Sequence, residues 1–145
     1  MERNYTFCDI GEDKYVVSIS NHAEVFETLK QFCIDMDITA GIIHGIGAVS
    51  EATLRFFNPI TKQYVDKTFT EQMEIANLTG NISTLNGETY LHLHVVLGRA
   101  DYTALAGHLL STTICGAGEF VVEEYFETIE RKLDEEIGLN VYDFE

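Results

Sequence analysis

Between Glu88 and Gly98 the chain alternates. Leu91, Leu93, Val95 and Leu97 form one series, and Tyr90, His92, His94 and Val96 form the other. Period-2 alternation predicts a β-strand with its aliphatic face on a core. Shorter β-patterns precede it. Asn4–Ile10 and Lys14–Ser20 flank the turn Gly11-Glu12-Asp13, a hairpin signal. Asn21 then stands as a helix cap, and Ala23, Val25, Phe26, Leu29, Phe32, Cys33 and Met36 recur at three- and four-residue steps. That spacing predicts one amphipathic helix ending near Asp37.

Ile38–Val49 is apolar and glycine-rich. Its Gly45-x-Gly47 lacks the third glycine and helix start of a dinucleotide fingerprint, and signals close backbone approach or a bulge. His44 within this run reads as a hydrogen-bonded core or interface residue rather than a ligand. Glu51–Asn58, Gln63–Thr70, Met73–Thr79, Asn81–Thr84, Glu119–Glu127 and Leu139–Phe144 are further strand candidates. Asn86-Gly87 is a strong hairpin turn leading into the histidine strand. One main helix and about eight short strands, many joined by tight turns, predict α+β with a mainly antiparallel sheet or sandwich. At 145 residues and 16.3 kDa, residues 1–145 are expected to form a single domain.

Charge narrows the partners. Twenty-four acidic against nine basic residues give a formal −15. Such a chain lacks the Lys/Arg–phosphate contacts that supply most nucleic-acid affinity, so nucleic acid is an unfavoured partner. No apolar run approaches a membrane span, and no signal-peptide pattern opens the chain. Cys8, Cys33 and Cys115 are odd in number and form no CxxC pair. They read as thiols in a reducing compartment, which makes the cytoplasm the expected location.

Candidate chemistry concentrates in one stretch. His92 and His94 occupy positions i and i+2 of one strand face, about 6.5–7 Å apart at the α-carbons. Two imidazoles at that span can converge on one ion. His108 follows beyond the polar turn Gly98–Asp101, far enough for the chain to fold back and supply a third nitrogen. The plainer alternative is a polar strand face with hydrogen-bonded imidazoles. As ligands, three neutral imidazoles suit Zn²⁺ or another divalent transition metal, with an open fourth position for water or a small molecule. The ion could then activate a bound water or polarise a carbonyl. Glu119 and Asp101 are candidate additional carboxylates, and Arg99 a candidate grip for a carboxylate substrate, although turn or surface charge is the plainer reading of each. Ser111 lacks a nucleophile elbow, and the cysteines have no local histidine partner.

Three segments together carry a resemblance: Gly45-Ile46-Gly47-Ala48-Val49, His92-Leu93-His94-Val95 and Gly107-His108-Leu109-Leu110. In order and spacing the chain resembles the PPC (plant and prokaryote conserved) family in its free-standing prokaryotic form, over nearly its whole length. The resemblance implies a compact α+β homotrimer with His92, His94 and His108 as a metal site. It also brings the label of a predicted DNA-binding protein, which the absent Arg-Gly-Arg-Pro core of an AT-hook and the −15 charge oppose. A more distant similarity to acetolactate decarboxylase implies a metal-dependent lyase acting on an oxo-acid as the alternative function.

Overall fold

The computed structural model describes residues 2–145. In chain order the elements are β1 (Tyr5–Gly11), β2 (Lys14–Ile19), α1 (Val25–Asp35), β3 (Gly41–Asn58), β4 (Gln63–Phe69), β5 (Met73–Leu85), β6 (Glu88–Gly98), β7 (Ala104–Glu124), β8 (Glu130–Asp134) and β9 (Leu139–Tyr142). The mostly-strand α+β class is therefore as expected. The strands are longer than expected. Ile38–Val49 and Glu51–Asn58 lie largely within one strand of 18 residues, β3. The two pieces around Gly80 are one strand of 13, and β7 runs for 21.

All nine strands belong to one sheet, antiparallel apart from a short parallel contact between β5 and β8. It is a curled sheet rather than a two-layer sandwich. Hydrogen-bonded neighbours close a ring: β3 pairs β5, β5 pairs β6, β6 pairs β7, and β7 returns to β3. Register shifts at Gly45/Gly47, Val49/Glu51 and Thr53/Leu54 bend β3 as it turns this corner. Bulges add local twist and curvature, and closure removes the open edges that invite aggregation. The Gly45-x-Gly47 pattern thus marks a bulge, as its sequence suggested.

Asn86 and Gly87 both adopt positive φ (52° and 79°) and join β5 to β6 in a tight hairpin. These are the backbone angles that favour Asn-Gly in two-residue turns.

The helix starts later than the sequence suggested. Its cap is Glu24, not Asn21. One carboxylate oxygen of Glu24 accepts from Phe26 N (3.0 Å) and Thr112 N (2.9 Å), the other from Glu27 N (2.7 Å). Before the helix can begin, residues 22 and 23 hydrogen-bond to Ile114 of β7, so the turn is spent docking on the sheet. Asn21 accepts from Gly116 N instead. Val25, Thr28, Leu29, Phe32 and Cys33 then bury the inner helix face. Phe32 meets the rings of Tyr5, Phe7 and Tyr15 at 5.4–5.6 Å between centroids.

A single cluster of buried side chains, including Leu29, Ile43, Val49, Leu78, Leu93, Leu97, Leu109 and Ile114, joins helix and ring. Among the described residues no helix is long and apolar enough to cross a membrane.

Candidate metal centre

With Leu91, Leu93, Val95 and Leu97 buried, β6 turns His92 and His94 outward. Antiparallel pairing of β6 with β7 sets His108 directly opposite His94. Cross-strand partners lie about 4.5–5.5 Å apart, so register alone gathers the third imidazole. The ring centroids are separated by 5.1, 5.2 and 5.5 Å. His92 Nε2 and His94 Nε2 stand 3.2 Å apart. One ring nitrogen from each of the three lies within 4.8 Å of the others.

Those distances fit a metal. A tetrahedral zinc site with Zn–N near 2.05 Å has nitrogens about 3.3 Å apart. The His92–His94 pair already has that spacing, and His108 offers a nitrogen within 4.8 Å of both. Protonation is arranged to suit. Burial, then His94, then Arg131 lower the pKa of His92. His108 is pushed down to about 4, first by burial, then by His92, His94 and Arg55, with Asp66 opposing. Both shifts favour the neutral imidazole, which is the ligating form. Among the described residues no carboxylate or thiol joins this cluster.

A cavity of about 460 Å³ opens over the histidines, lined also by Arg55, Phe57, Tyr64, Tyr90 and Asn140. Arg55 comes from β3, where it stands opposite His108 on one side and Asp66 of β4 on the other. Its Nε and Nη2 donate to the two Asp66 oxygens at 2.7 and 2.8 Å, and its guanidinium lies 4.4 Å from the centre of the Tyr64 ring. The fork therefore has a fixed orientation. A second hollow of about 360 Å³ shares His92 and His94 and is walled by Ile42, Asn81, Tyr125 and Tyr142.

Arg131 holds the far wall. Nine per cent exposed, it donates from Nε to Ser83 Oγ (2.7 Å), from Nη2 to Asn81 Oδ1 (2.7 Å) and from Nη1 to the Asn140 carbonyl (2.9 Å). Its guanidinium sits 5.0 Å from the Tyr90 ring centre and 4.4 Å from that of Tyr142. These contacts lock β8 and β9 against β5 and β6, which is how Leu139 and Asn140 reach the cavity.

The other candidates lie elsewhere. Asp101 accepts from the backbone and hydroxyl of Thr103 in the β6–β7 turn. Arg99 is paired with Glu71 at 2.8 Å. Glu119 is exposed on the other half of β7, opposite Ile46. None of these three lines either hollow. His44 is exposed rather than in the core, and Thr79 of β5 stands between it and His94 in the cross-strand row. Arg55 and Arg131 escaped the sequence reading. One is a lone arginine in an amphipathic strand and the other part of a charged run, and neither differs locally from a surface cation.

The fold and site define a class: a ring-closed antiparallel sheet with one helix and an open cluster of three histidines on its outer face. The description of the Plants and Prokaryotes Conserved (PCC) domain matches residues 9–126, and the chain belongs to this family. Among solved structures, a protein of Bacteroides thetaiotaomicron whose name proposes DNA binding is 60% identical. The match covers 97% of this chain and 98% of that one at a TM-score of 0.95. A protein of Archaeoglobus fulgidus described as metal-containing is 30% identical over 95% and 96% of the two chains, at a TM-score of 0.83. α-Acetolactate decarboxylase of Bacillus subtilis shares the fold alone, at 12% identity and a TM-score of 0.54 over 84% of this chain and 57% of its own. No curated protein matches.

Proposed function

We propose that this protein is a metal-binding domain that holds one divalent transition ion, zinc by preference, through His92, His94 and His108. On this reading a small molecule binds at the ion's open position. The observation that carries it is the convergence of three imidazoles at the mouth of a cavity. Three protein ligands with one open position is the arrangement of zinc sites that handle ligands; purely structural sites are closed by four. The metal-containing relative from Archaeoglobus fulgidus supports the same reading.

Loading with Zn²⁺ followed by elemental analysis is expected to give about one ion per chain. His94→Ala, a change at an exposed position, should abolish stoichiometric binding. Wild-type protein without metal after loading, or full retention in His92→Ala/His94→Ala, would overturn the proposal.

The domain is further read as a homotrimer, with Gly41–Val49 in the contact. Ile43 and Val49 are spent in the chain's own core, whereas Ile42 is half-buried and Ile46 is 52% exposed. Ile46→Asp is therefore a surface change that should leave the monomer folded and split the assembly. Light scattering should give about three times 16.3 kDa for the wild type and 16.3 kDa for the variant. A monomeric wild type contradicts this part of the reading. Three unpaired thiols agree with a cytoplasmic setting.

The cavity favours a second, catalytic reading: a small metal-dependent lyase acting on an oxo-acid. A bound ion would polarise a substrate carbonyl there. Arg55 would orient the substrate, and the aromatic walls would limit water. Turnover of 2-hydroxy-3-oxo acids by the zinc-loaded protein, lost in His92→Ala, is the test; no turnover leaves the binding reading alone.

A further inference from the structure

The chemistry of the cavity says what kind of molecule it takes. In a chain with 24 Asp and Glu residues, none lines this cavity. Its one charged wall group, beside the imidazoles, is Arg55. Asp66 occupies the Nε and one Nη2 position of the fork, which leaves the two Nη1 hydrogens and one on Nη2 free to donate. The rest of the wall is largely aromatic: Phe56, Phe57, Tyr64 and Tyr90. Phe57 and Tyr64 pack against each other at 4.9 Å between centroids, so this side is a fixed apolar surface. A free volume of about 460 Å³ falls within the range of small-molecule sites.

We infer that this cavity binds a monocarboxylate with a planar, apolar body, the carboxylate set between the histidine-bound ion and the free edge of Arg55. A planar guanidinium matches a planar carboxylate in a way that a point charge does not. Asp66 holds the fork still, so less side-chain freedom is lost on binding. An acidic protein repels anions in general. Here the carboxylate-free wall and two arginines flanking the histidines, Arg55 beside His108 and Arg131 beside His92, make a local exception. The inference rests on the metal reading above and adds the ligand class.

The test is calorimetric titration of the zinc-loaded full chain with benzoate, with benzamide as its neutral counterpart of the same shape, and with inorganic phosphate. Benzoate should bind at least tenfold more tightly than benzamide and more tightly than phosphate. Arg55→Met should lose at least tenfold of benzoate affinity with zinc content unchanged, and Arg55→Lys should recover only part. Arg99→Met, remote from the cavity, should bind as the wild type does. The comparison of benzoate with benzamide uses unaltered protein, so it stands even if an Arg55 variant folds poorly. Equal binding of the pair, preference for phosphate, or unchanged affinity in a zinc-replete Arg55→Met protein overturns the carboxylate assignment and leaves the metal reading standing. Failure to load zinc overturns the metal reading and, with it, the bridging geometry.

Discussion

An imidazole that must bind a metal has to stay unprotonated, and burial is the cheapest way to keep it so. His108 shows the effect most strongly. It lies half-buried between strands with Arg55 alongside, so its protonated form loses water and meets a like charge. A histidine in the unfolded chain titrates near 6.5. Because the folded value is lowered to about 4, the unfolded state binds the extra proton between those two limits. The sign follows: the metal-free protein should be most stable above pH 6.5 and lose stability as pH falls from about 6.5 towards 4. Urea midpoints of metal-free wild type and His108→Gln across that window check this. The wild-type midpoint should fall more steeply than that of the variant, and parallel curves would show that His108 contributes no such term.

At the scale of elements, the site is a product of strand register. Gly80 of β5 faces Leu93 of β6, between the Thr79–His94 and Asn81–His92 pairs. A Cβ there would stand 2.7 Å from the Leu93 side chain and 2.8 Å from its Cα, and would collide with the His92 carbonyl oxygen. The Leu93 side chain could turn aside, but the two backbone atoms cannot, so the strands must separate. Gly80→Ala is expected to cost about 1–3 kcal/mol, the usual range for overpacking. It should also weaken zinc binding, because the displaced backbone carries two of the three histidines. Thermal unfolding and zinc titration measure the two effects. Loss of stability with unchanged zinc affinity would mean that the histidines adapt to a shifted strand. The β3–β4 hairpin acts in the same way for Arg55, since Asp66 and Tyr64 on the return strand fix its guanidinium.

For the molecule as a whole, net charge decides which macromolecules it meets. The described residues contain nine basic side chains, and five of them (Arg3, Lys14, Arg55, Arg99 and Lys132) are paired with carboxylates. Arg131 is buried and engaged with Ser83, Asn81 and Asn140. What remains is Lys30, Lys62 and Lys67, too few for the counterion release that drives DNA binding. The names of some relatives propose DNA binding, yet this chain is expected not to bind a random duplex at about 0.15 M salt. Fluorescence anisotropy with a labelled duplex tests this. Salt-sensitive, sub-micromolar binding would show that assembly creates a basic surface absent from the single chain.

The alternation of residues 90–97 determined a half-buried strand with two imidazoles side by side, because a period of two leaves a β-strand little choice of face. The helix face, the Asn86-Gly87 hairpin and the bulge at Gly45-x-Gly47 were legible for similarly local reasons. The family was legible from three short motifs in order. Long-range pairing was not. Nothing in the local pattern says that β3 and β7 run unbroken through their bulges, or that residues 130–134 form a strand, because a short, charged strand lacks the hydrophobic signal. Glu24 displaced Asn21 as the cap because the preceding turn docks on β7, a contact between residues roughly 90 positions apart. The ligand chemistry divides along the same line. His92 and His94 are neighbours by strand geometry, whereas the opposition of His108 to His94 was fixed by the β6–β7 register. Arg55, Tyr64 and Asn140 come from three other strands, β3, β4 and β9, and only the pairing of distant segments brings them to one cavity. A side chain's electrostatic role depends on what lies across the fold from it, and that is set by pairing between distant segments.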